Sequence, residues 1–174
     1  MNKTTNNRLN FFKKNVKGKV LELTVGTLDF PQFYDKDCEI SVIDFDEDYL
    51  SKAKKYSHKQ IKHNLETKLP FPDETFDVVV AGEIIEHLKD TRQLIQESYR
   101  VLKKGGVFVG STPNADNIRN NLKMLLGIFP DVEHEHIRFY TKRSLNNQLK
   151  KCFPEGRTYF NGFLRGGLIW KCRK

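Results

Sequence analysis

The sequence predicts an α/β domain with an open, mostly parallel sheet and helices on both faces. Short apolar strands alternate with amphipathic helices along most of the chain, as in consecutive β-α-β units. The central segment FDVVVAG, residues 76–82, is an almost continuous apolar run, as in a strand buried on both faces. The 174 residues suit one domain with its own hydrophobic core, so 1–174 is taken as a single unit.

Each element follows from its local pattern. Apolar residues at helical spacing over 8–16 predict an N-terminal helix within residues 1–18. The segment 46–57 has acids in its first turn and lysines in its last, which suits a helix dipole. A further helix at 91–103 is expected to end at the glycines of KKGG, and Thr141 is a suitable N-cap for another. The remaining predictions are a short helix or turn at 30–35, helices at 116–127 and 141–153, and strands at 19–23, 38–46, 60–64, 76–82, 107–112, 157–162 and 166–174.

Basic residues are concentrated at the two ends of the chain. Residues 1–20 contain six Lys or Arg and no acid, and residues 141–174 contain nine against one acid. If the ends met on one face, they could form a patch for phosphate-bearing or nucleic-acid partners. The other interpretation, a simply solvated surface, is favoured because no aromatic and basic interleaving typical of RNA-binding modules is present.

The composition also indicates a compartment. Cys38, Cys152 and Cys172 are far apart and form no CxxC pair, which favours reduced thiols. No apolar run approaches the roughly 20 residues that cross a bilayer, and the first residues lack an apolar signal core. A cytoplasmic protein without a membrane span is therefore expected.

In such a sheet, ligands bind beyond the carboxyl ends of the strands. The first strand runs through VLELTVGTLDF, residues 20–30, where a nucleotide-binding loop would carry two or three glycines. Only Gly26 is present, and Thr24 and Leu28 stand where the other glycines would be expected. Thr24 narrows the loop but offers a hydroxyl for a local bond. Leu28 implies a displaced or shortened first helix.

Taken in chain order, the segments around the strand ends resemble those of class I S-adenosylmethionine-dependent methyltransferases, in particular the type 11-like group. The resemblance covers roughly residues 19–153, and its middle block is the specific part. It implies a doubly wound, seven-stranded Rossmann-like sheet with a C-terminal antiparallel hairpin, and S-adenosylmethionine as cofactor. The matching segments are VLELTVGTLDF, SVIDFD, LPFPDETFDVVVAGEIIEHLKDTRQLIQESYRVLKKGGVFVGSTPN and HIRFYTKRSLNNQLKKCF.

The resemblance assigns the adenosine end of the cofactor to the second and third strand ends. Asp44 lies where a carboxylate accepts hydrogen bonds from the ribose hydroxyls. Phe45 follows it and is expected to pack against the adenine face. Asn64, with Leu65, stands where the family usually has an Asp that accepts from the adenine amino group, and an Asn carbonyl could keep that role.

The amino-acid end of the cofactor is assigned to the first and fourth strand ends. Glu22 precedes the loop, and Gly26 would let the backbone pass close to the ligand. The other residues predicted to bind this end are Thr24, Ala81, Gly82 and Glu83.

The reaction that the resemblance implies is methyl transfer to a small-molecule acceptor. An oxygen or nitrogen nucleophile could need a base, for which the candidates are His87, His134 and His136. No metal site is predicted, because two histidines that alternate with Glu133 and Glu135 lack a third ligand at telling spacing.

Two alternatives stay open. One is a catalytically silent, methyltransferase-like binding or partner subunit, since the loop has lost glycines. The other is an RNA methyltransferase that uses the basic termini. The segment 114–138 is expected to cap the pocket and to set the acceptor, whereas the oligomeric state has no signal in the sequence.

Overall fold

A single mixed sheet of seven strands forms the centre of the molecule. The computed structural model describes residues 3–24, 30–127, 136–162 and 166–174. The strand order is β3-β2-β1-β4-β5-β7-β6, with β1 to β5 parallel and β7 antiparallel to both of its neighbours. The predicted fold class is thus confirmed. The strands are β1 (Lys19–Leu23), β2 (Glu39–Asp44), β3 (Lys59–Lys62), β4 (Phe76–Gly82), β5 (Leu102–Pro113), β6 (Arg157–Asn161) and β7 (Gly167–Arg173).

Helices connect the strands, and polar side chains cap their first turns. The Thr141 side chain accepts from the Ser144 backbone N–H at 3.1 Å, so the predicted N-cap is confirmed. Asp46 and Asp90 cap two further helices in the same way. The helices are α1 (Lys3–Asn15), α2 (Glu47–Ala53), α3 (Thr91–Val101), α4 (Ile118–Leu125) and α5 (Lys142–Leu149), with short 3₁₀ turns at Phe30–Phe33 and Ile85–His87.

Several predicted boundaries are wrong by a few residues, and at one of them the type of element changes. The helix expected over 91–103 ends at Val101, and the KKGG segment belongs to β5 instead of forming a helix cap. Leu102 already pairs with Phe76, and the register shifts between Phe76 and Val78. Pairing with β4 therefore outweighs the helix-stop signal of the glycines.

The alternation of side chains along the strands divides the core into two layers. On one face, Leu21 and Leu23 of β1 pack with residues of α3 and α5. On the other, Val20 packs with residues of α1 and α2. Both faces of the sheet are therefore covered, and the polar ends of the strands are left as the place for a ligand.

Close packing in the middle of the sheet depends on Gly110 of β5. A Cβ atom at this position would lie 2.1 Å from Cζ2 of Trp170 and 2.3 Å from the backbone oxygen of Ala81. Trp170 lies on β7 and is fully buried. The missing side chain of Gly110 thus lets the antiparallel strand carry a large indole against the parallel part of the sheet.

The basic ends of the chain meet. Lys171 of β7 donates from Nζ to the side-chain oxygen of Asn15 at the end of α1, at 2.7 Å. Within the described ranges, no helix is both long and apolar enough to cross a membrane.

Candidate functional site

A cavity of about 260 Å³ lies beyond the carboxyl ends of β1 to β4. Ile84 and Leu88 form its apolar wall on the side that follows β4. The remaining described lining comes from five residues that the sequence predicted to bind a cofactor, namely Thr24, Asp44, Phe45, Asn64 and Leu65. These predicted residues therefore meet at one place.

Asp44 is the fixed polar group of this cavity. Its side chain is buried, and it accepts from the Asp46 backbone N–H at 3.0 Å and from the Thr24 hydroxyl at 2.6 Å. Phe45 next to it is 72% exposed. A buried, oriented carboxylate thus adjoins an aromatic ring that is open to a ligand. This pair of groups suits a ribose hydroxyl pair and a flat base.

Thr24 adopts a backbone conformation that favours glycine. Its φ angle is +79°, in the left-handed region that a β-branched residue rarely enters. Its backbone N–H donates to Ile43 O at 2.7 Å, and its hydroxyl binds Asp44. The loop therefore keeps the backbone path of the missing glycine, and the hydrogen bond to Asp44 helps to offset the strain. The hydroxyl was predicted to bond locally, but its partner Asp44 lies at the end of the neighbouring strand β2.

Two variants separate the strain at Thr24 from its hydrogen bond. We expect Thr24→Ala to lose the bond to Asp44, worth about 1 kcal/mol, and to keep the strained φ. Thr24→Gly loses the same bond but relieves about 1 kcal/mol of strain, so it should be the more stable variant. Urea denaturation of the two proteins measures the difference. Equal stability, or a more stable alanine variant, would contradict a left-handed backbone at this position.

Asn64 and Leu65 follow β3 at the rim of the cavity. The side-chain oxygen of Asn64 accepts from the Glu66 backbone N–H at 2.9 Å, which closes a short turn. An amide oxygen has a second lone pair, so this bond leaves room for a ligand amino group. Leu65 is buried and joins the core beneath.

Glu22 lies on the α1 and α2 side of the sheet and does not line this cavity. The hydroxyl of Tyr34 donates to its carboxylate at 2.9 Å. Burial raises the pKa of the Glu22 carboxyl to about 8, although the bond from Tyr34 acts in the opposite direction. The carboxyl is therefore mainly protonated at neutral pH in the absence of ligand.

This protonation makes the stability depend on pH. The unfolded chain releases the Glu22 proton near the ordinary pKa of 4.5, whereas the folded protein keeps it to about 8. Between pH 4.5 and 8 the folded protein binds this proton and the unfolded chain does not. The free energy of unfolding is therefore highest below pH 4.5 and falls as the pH rises to about 8. We expect Glu22→Gln to gain stability relative to the native chain by on the order of a few kcal/mol between pH 5 and 8. Denaturant titrations at three pH values test this, and a pH-independent difference would refute it.

The three residues predicted at the end of β4, Ala81, Gly82 and Glu83, have separate environments, and none of them is among the described lining of the cavity. Ala81 is fully buried in the core. A Cβ at Gly82 would meet only Phe12 of α1, at 3.9 Å. Glu83 has a φ of +55° and forms a 2.6 Å ion pair with Arg8. Gly26, the remaining predicted glycine of the loop, lies outside the described residues.

Two of the three candidate bases lie together. The ring centroids of His87 and His136 are 4.8 Å apart, and the rings are tilted by 70°. His134 lies outside the described residues. Glu86, next to His87 in the chain, is 1% exposed and accepts from the Thr112 hydroxyl at 2.9 Å. Burial, and then the nearby Glu83 carboxylate, raise the pKa of Glu86 to about 8.

The methyltransferase domain family matches residues 21–110, about half of the chain. This stretch contains Asp44, Asn64 and the segment from β4 to α3, which includes the groups around the cavity. The chain belongs to this methyltransferase family. The predicted family is therefore confirmed, and with it S-adenosylmethionine as the cofactor of the family.

Curated relatives of this methyltransferase are similar over part of their length. A probable S-adenosylmethionine-dependent methyltransferase of Mycolicibacterium smegmatis is 44% identical over 73 residues, which are 41% of this chain and 28% of the relative. The ubiquinone/menaquinone biosynthesis C-methyltransferase UbiE of Desulfotalea psychrophila is 35% identical over 109 residues, 58% of this chain and 44% of the relative. The matched regions thus span less than half of each relative.

The fold of the methyltransferase extends beyond the part that sequence comparison matches. The crystal structure of a SAM-dependent methyltransferase from Archaeoglobus fulgidus superposes with a TM-score of 0.77 at 15% identity. The match covers 98% of this chain and 92% of that one. This likeness concerns the fold alone, and it includes the C-terminal strands that lie outside the family match.

Proposed function

We propose that this methyltransferase transfers the methyl group of S-adenosylmethionine to a small-molecule acceptor. The observation that carries the proposal is the cavity at the strand ends, where a buried carboxylate and an exposed aromatic ring stand side by side. Asp44 is held from two sides, by Thr24 and by the Asp46 backbone. Its orientation is therefore set before any ligand arrives, which lowers the cost of binding.

The size of the cavity limits what it could hold. Its volume of about 260 Å³ is slightly below the range of about 300–1,000 Å³ that is usual for drug-sized ligands. It suits the adenosine part of the cofactor better than the whole molecule. We place adenine against Phe45 and Leu65, ribose at Asp44, and the amino-acid part toward Glu22, Gly26 and the residues after β4.

The main task of the protein in methyl transfer is to position the two reactants. S-adenosylmethionine, when bound, supplies a methyl group that is already activated for transfer. The residues of this chain would hold the two reactants in line and exclude water. We take the region beyond β4, where the rings of His87 and His136 are in contact, as the acceptor side, and either histidine could accept a proton from an oxygen or nitrogen nucleophile.

The exposed apolar side chains of the segment 114–138 favour an apolar methyl acceptor. The described part of this segment includes α4, which follows the carboxyl end of β5. Four side chains of this helix expose between 46% and 82% of their surface, namely Ile118, Leu122, Met124 and Leu125. An apolar surface beside a cofactor site is typical of a ligand-binding groove. The name of the UbiE relative, a quinone-biosynthesis enzyme, agrees with this class of acceptor.

Two measurements test the proposal. Isothermal titration calorimetry with S-adenosylmethionine and S-adenosylhomocysteine should show one binding site per chain. Incubation with methyl-labelled cofactor and a panel of apolar phenols, quinols and amines should then give a labelled product. Absence of heat at millimolar ligand, with a folded protein, would refute the cofactor site. Cofactor binding without transfer to any acceptor would favour the silent binding subunit.

An RNA methyltransferase is a second candidate, because the basic ends of the chain meet at Asn15 and Lys171. Lys13, Lys14 and Lys17 nearby are exposed. Binding of a labelled transfer RNA that falls steeply between low and moderate salt, together with methylation of that RNA, would favour this function. Binding without methylation would indicate only nonspecific attraction to a basic surface.

A further inference from the structure

Three side chains that could coordinate a metal meet beyond the carboxyl end of β4. Glu86, His87 and His136 each have one coordinating atom, and these atoms all lie within 4.8 Å of one another. We propose that Glu86, His87 and His136 form a binding site for a divalent transition metal such as Zn²⁺. No metal site was predicted from the sequence. That prediction rested on His134, His136 and their flanking acids, and local spacing does not show that His136 lies beside the residues after β4.

Backbone bonds hold the two distant segments together. The N–H groups of Ile137 and Arg138 both donate to the backbone oxygen of Glu86, at 3.0 and 3.1 Å. The Arg138 guanidinium also donates to the backbone oxygens of Leu88 and Lys89. These bonds fix His136 beside the turn that carries His87. The contact between the two histidines thus follows from these hydrogen bonds between the two segments.

Glu86 supplies the second, independent observation. Its side chain is 1% exposed, and one carboxylate oxygen, Oε2, accepts from Thr112. The other, Oε1, has no hydrogen-bond partner among the described residues. The nearby Arg8 forms its ion pair with Glu83. A buried oxygen without a partner is costly, and a cation at this place would remove the cost.

The donor set selects the kind of metal. Two imidazoles and one carboxylate suit Zn²⁺ and other first-row ions, and three protein ligands leave a coordination position for water or a substrate oxygen. Ligands about 2.0–2.2 Å from a tetrahedral ion lie about 3.3 Å apart. The three groups would therefore have to close by up to about 1.5 Å, which rotation of the partly exposed His87 and His136 side chains can supply.

The cysteines compete weakly for such an ion. Burial raises the pKa of all three thiols, and that of Cys172 to about 12. A protonated thiol is a poor metal ligand. Uptake of one equivalent of metal at neutral pH is therefore assigned to Glu86, His87 and His136 when variants of these residues lose it.

The test is calorimetric titration of the tag-free, chelator-treated chain with ZnCl₂, followed by Co²⁺ titration monitored by visible absorption. We expect one ion per chain and the absorption bands of Co²⁺ with nitrogen ligands. His87→Ala, His136→Ala and Glu86→Gln should each weaken binding by at least about tenfold, since even residues that only support a ligand contribute that much. Glu86→Gln keeps an oxygen that can accept from Thr112, so its fold should be intact.

His58→Ala is the matched control. His58 lies just before the edge strand β3, whereas the cluster follows the central strand β4, and it accepts from the Ile40 backbone N–H. Its loss should leave metal affinity unchanged. No uptake at millimolar Zn²⁺ by the native chain would overturn the proposal, as would native affinity in the folded His87, His136 and Glu86 variants. Neither readout depends on methyl transfer, so the metal site and the proposed function can fail separately.

Discussion

Asp44→Ala is expected to weaken S-adenosylmethionine binding by about 30-fold or more, since hydrogen bonds to a charged group contribute about 1.5–3 kcal/mol each. The carboxylate is buried and already oriented, so little of that energy is spent on ordering the side chain. Calorimetric titration measures the affinity. Asp44→Asn keeps the shape and one oxygen and should show an intermediate loss.

The control for this experiment is Asp48→Asn. Asp48 is an exposed acid in the first turn of α2, the helix that follows Asp44, and is not among the described lining of the cavity. Its substitution should leave cofactor affinity within about twofold, because exposed charges contribute little. Unchanged affinity in both Asp44 variants would refute the ribose assignment and would move the search for the cofactor to another part of the strand ends.

Gly110→Ala is expected to prevent stable folding, with a loss of more than about 4 kcal/mol. The added Cβ would lie 2.1 Å from Trp170 and 2.3 Å from the backbone of Ala81. Neither neighbour can move cheaply, because the indole is fully buried and the backbone belongs to the central strand β4. Circular dichroism and thermal denaturation of the purified variant test the effect.

Gly167→Ala is the matched control in the neighbouring strand β7. The atoms nearest to an added Cβ there lie at 3.6 and 3.7 Å, which is ordinary contact. Its stability should stay within about 1 kcal/mol of the native chain. If Gly110→Ala folded with native stability, the described packing of β7 against β5 would be wrong.

The sequence predicted the parts of the structure that depend on local patterns. The open, mostly parallel sheet with helices on both faces follows from the alternation of strands and helices, and it is as expected. Asp44, Phe45 and Asn64 were found because the ends of parallel strands converge at one edge. The KKGG segment was wrongly assigned to a helix end. Its place in β5 depends on pairing with β4, which is a nonlocal interaction that the local pattern does not show.

The parts that sequence reasoning missed are contacts between distant segments. The left-handed backbone conformation of Thr24 could not be predicted from its residue type, because threonine rarely adopts it. The group of Glu86 with His87 and His136 depends on backbone bonds from Ile137 and Arg138 to the turn after β4. His87 and His136 were each predicted as candidate bases, but nothing local indicated that they would lie together with Glu86.

The protonated carboxyl of Glu22 has a consequence for how the protein exchanges ligands. A cationic amino group bound next to Glu22 would favour the ionised carboxylate, so its uptake would release a proton to the solvent. By reciprocity, alkaline conditions would tighten the complex and mild acid would loosen it. Calorimetric heats that differ between buffers of different ionisation enthalpy would reveal this release. The protein would then respond to the acidity of its surroundings at the step of cofactor binding.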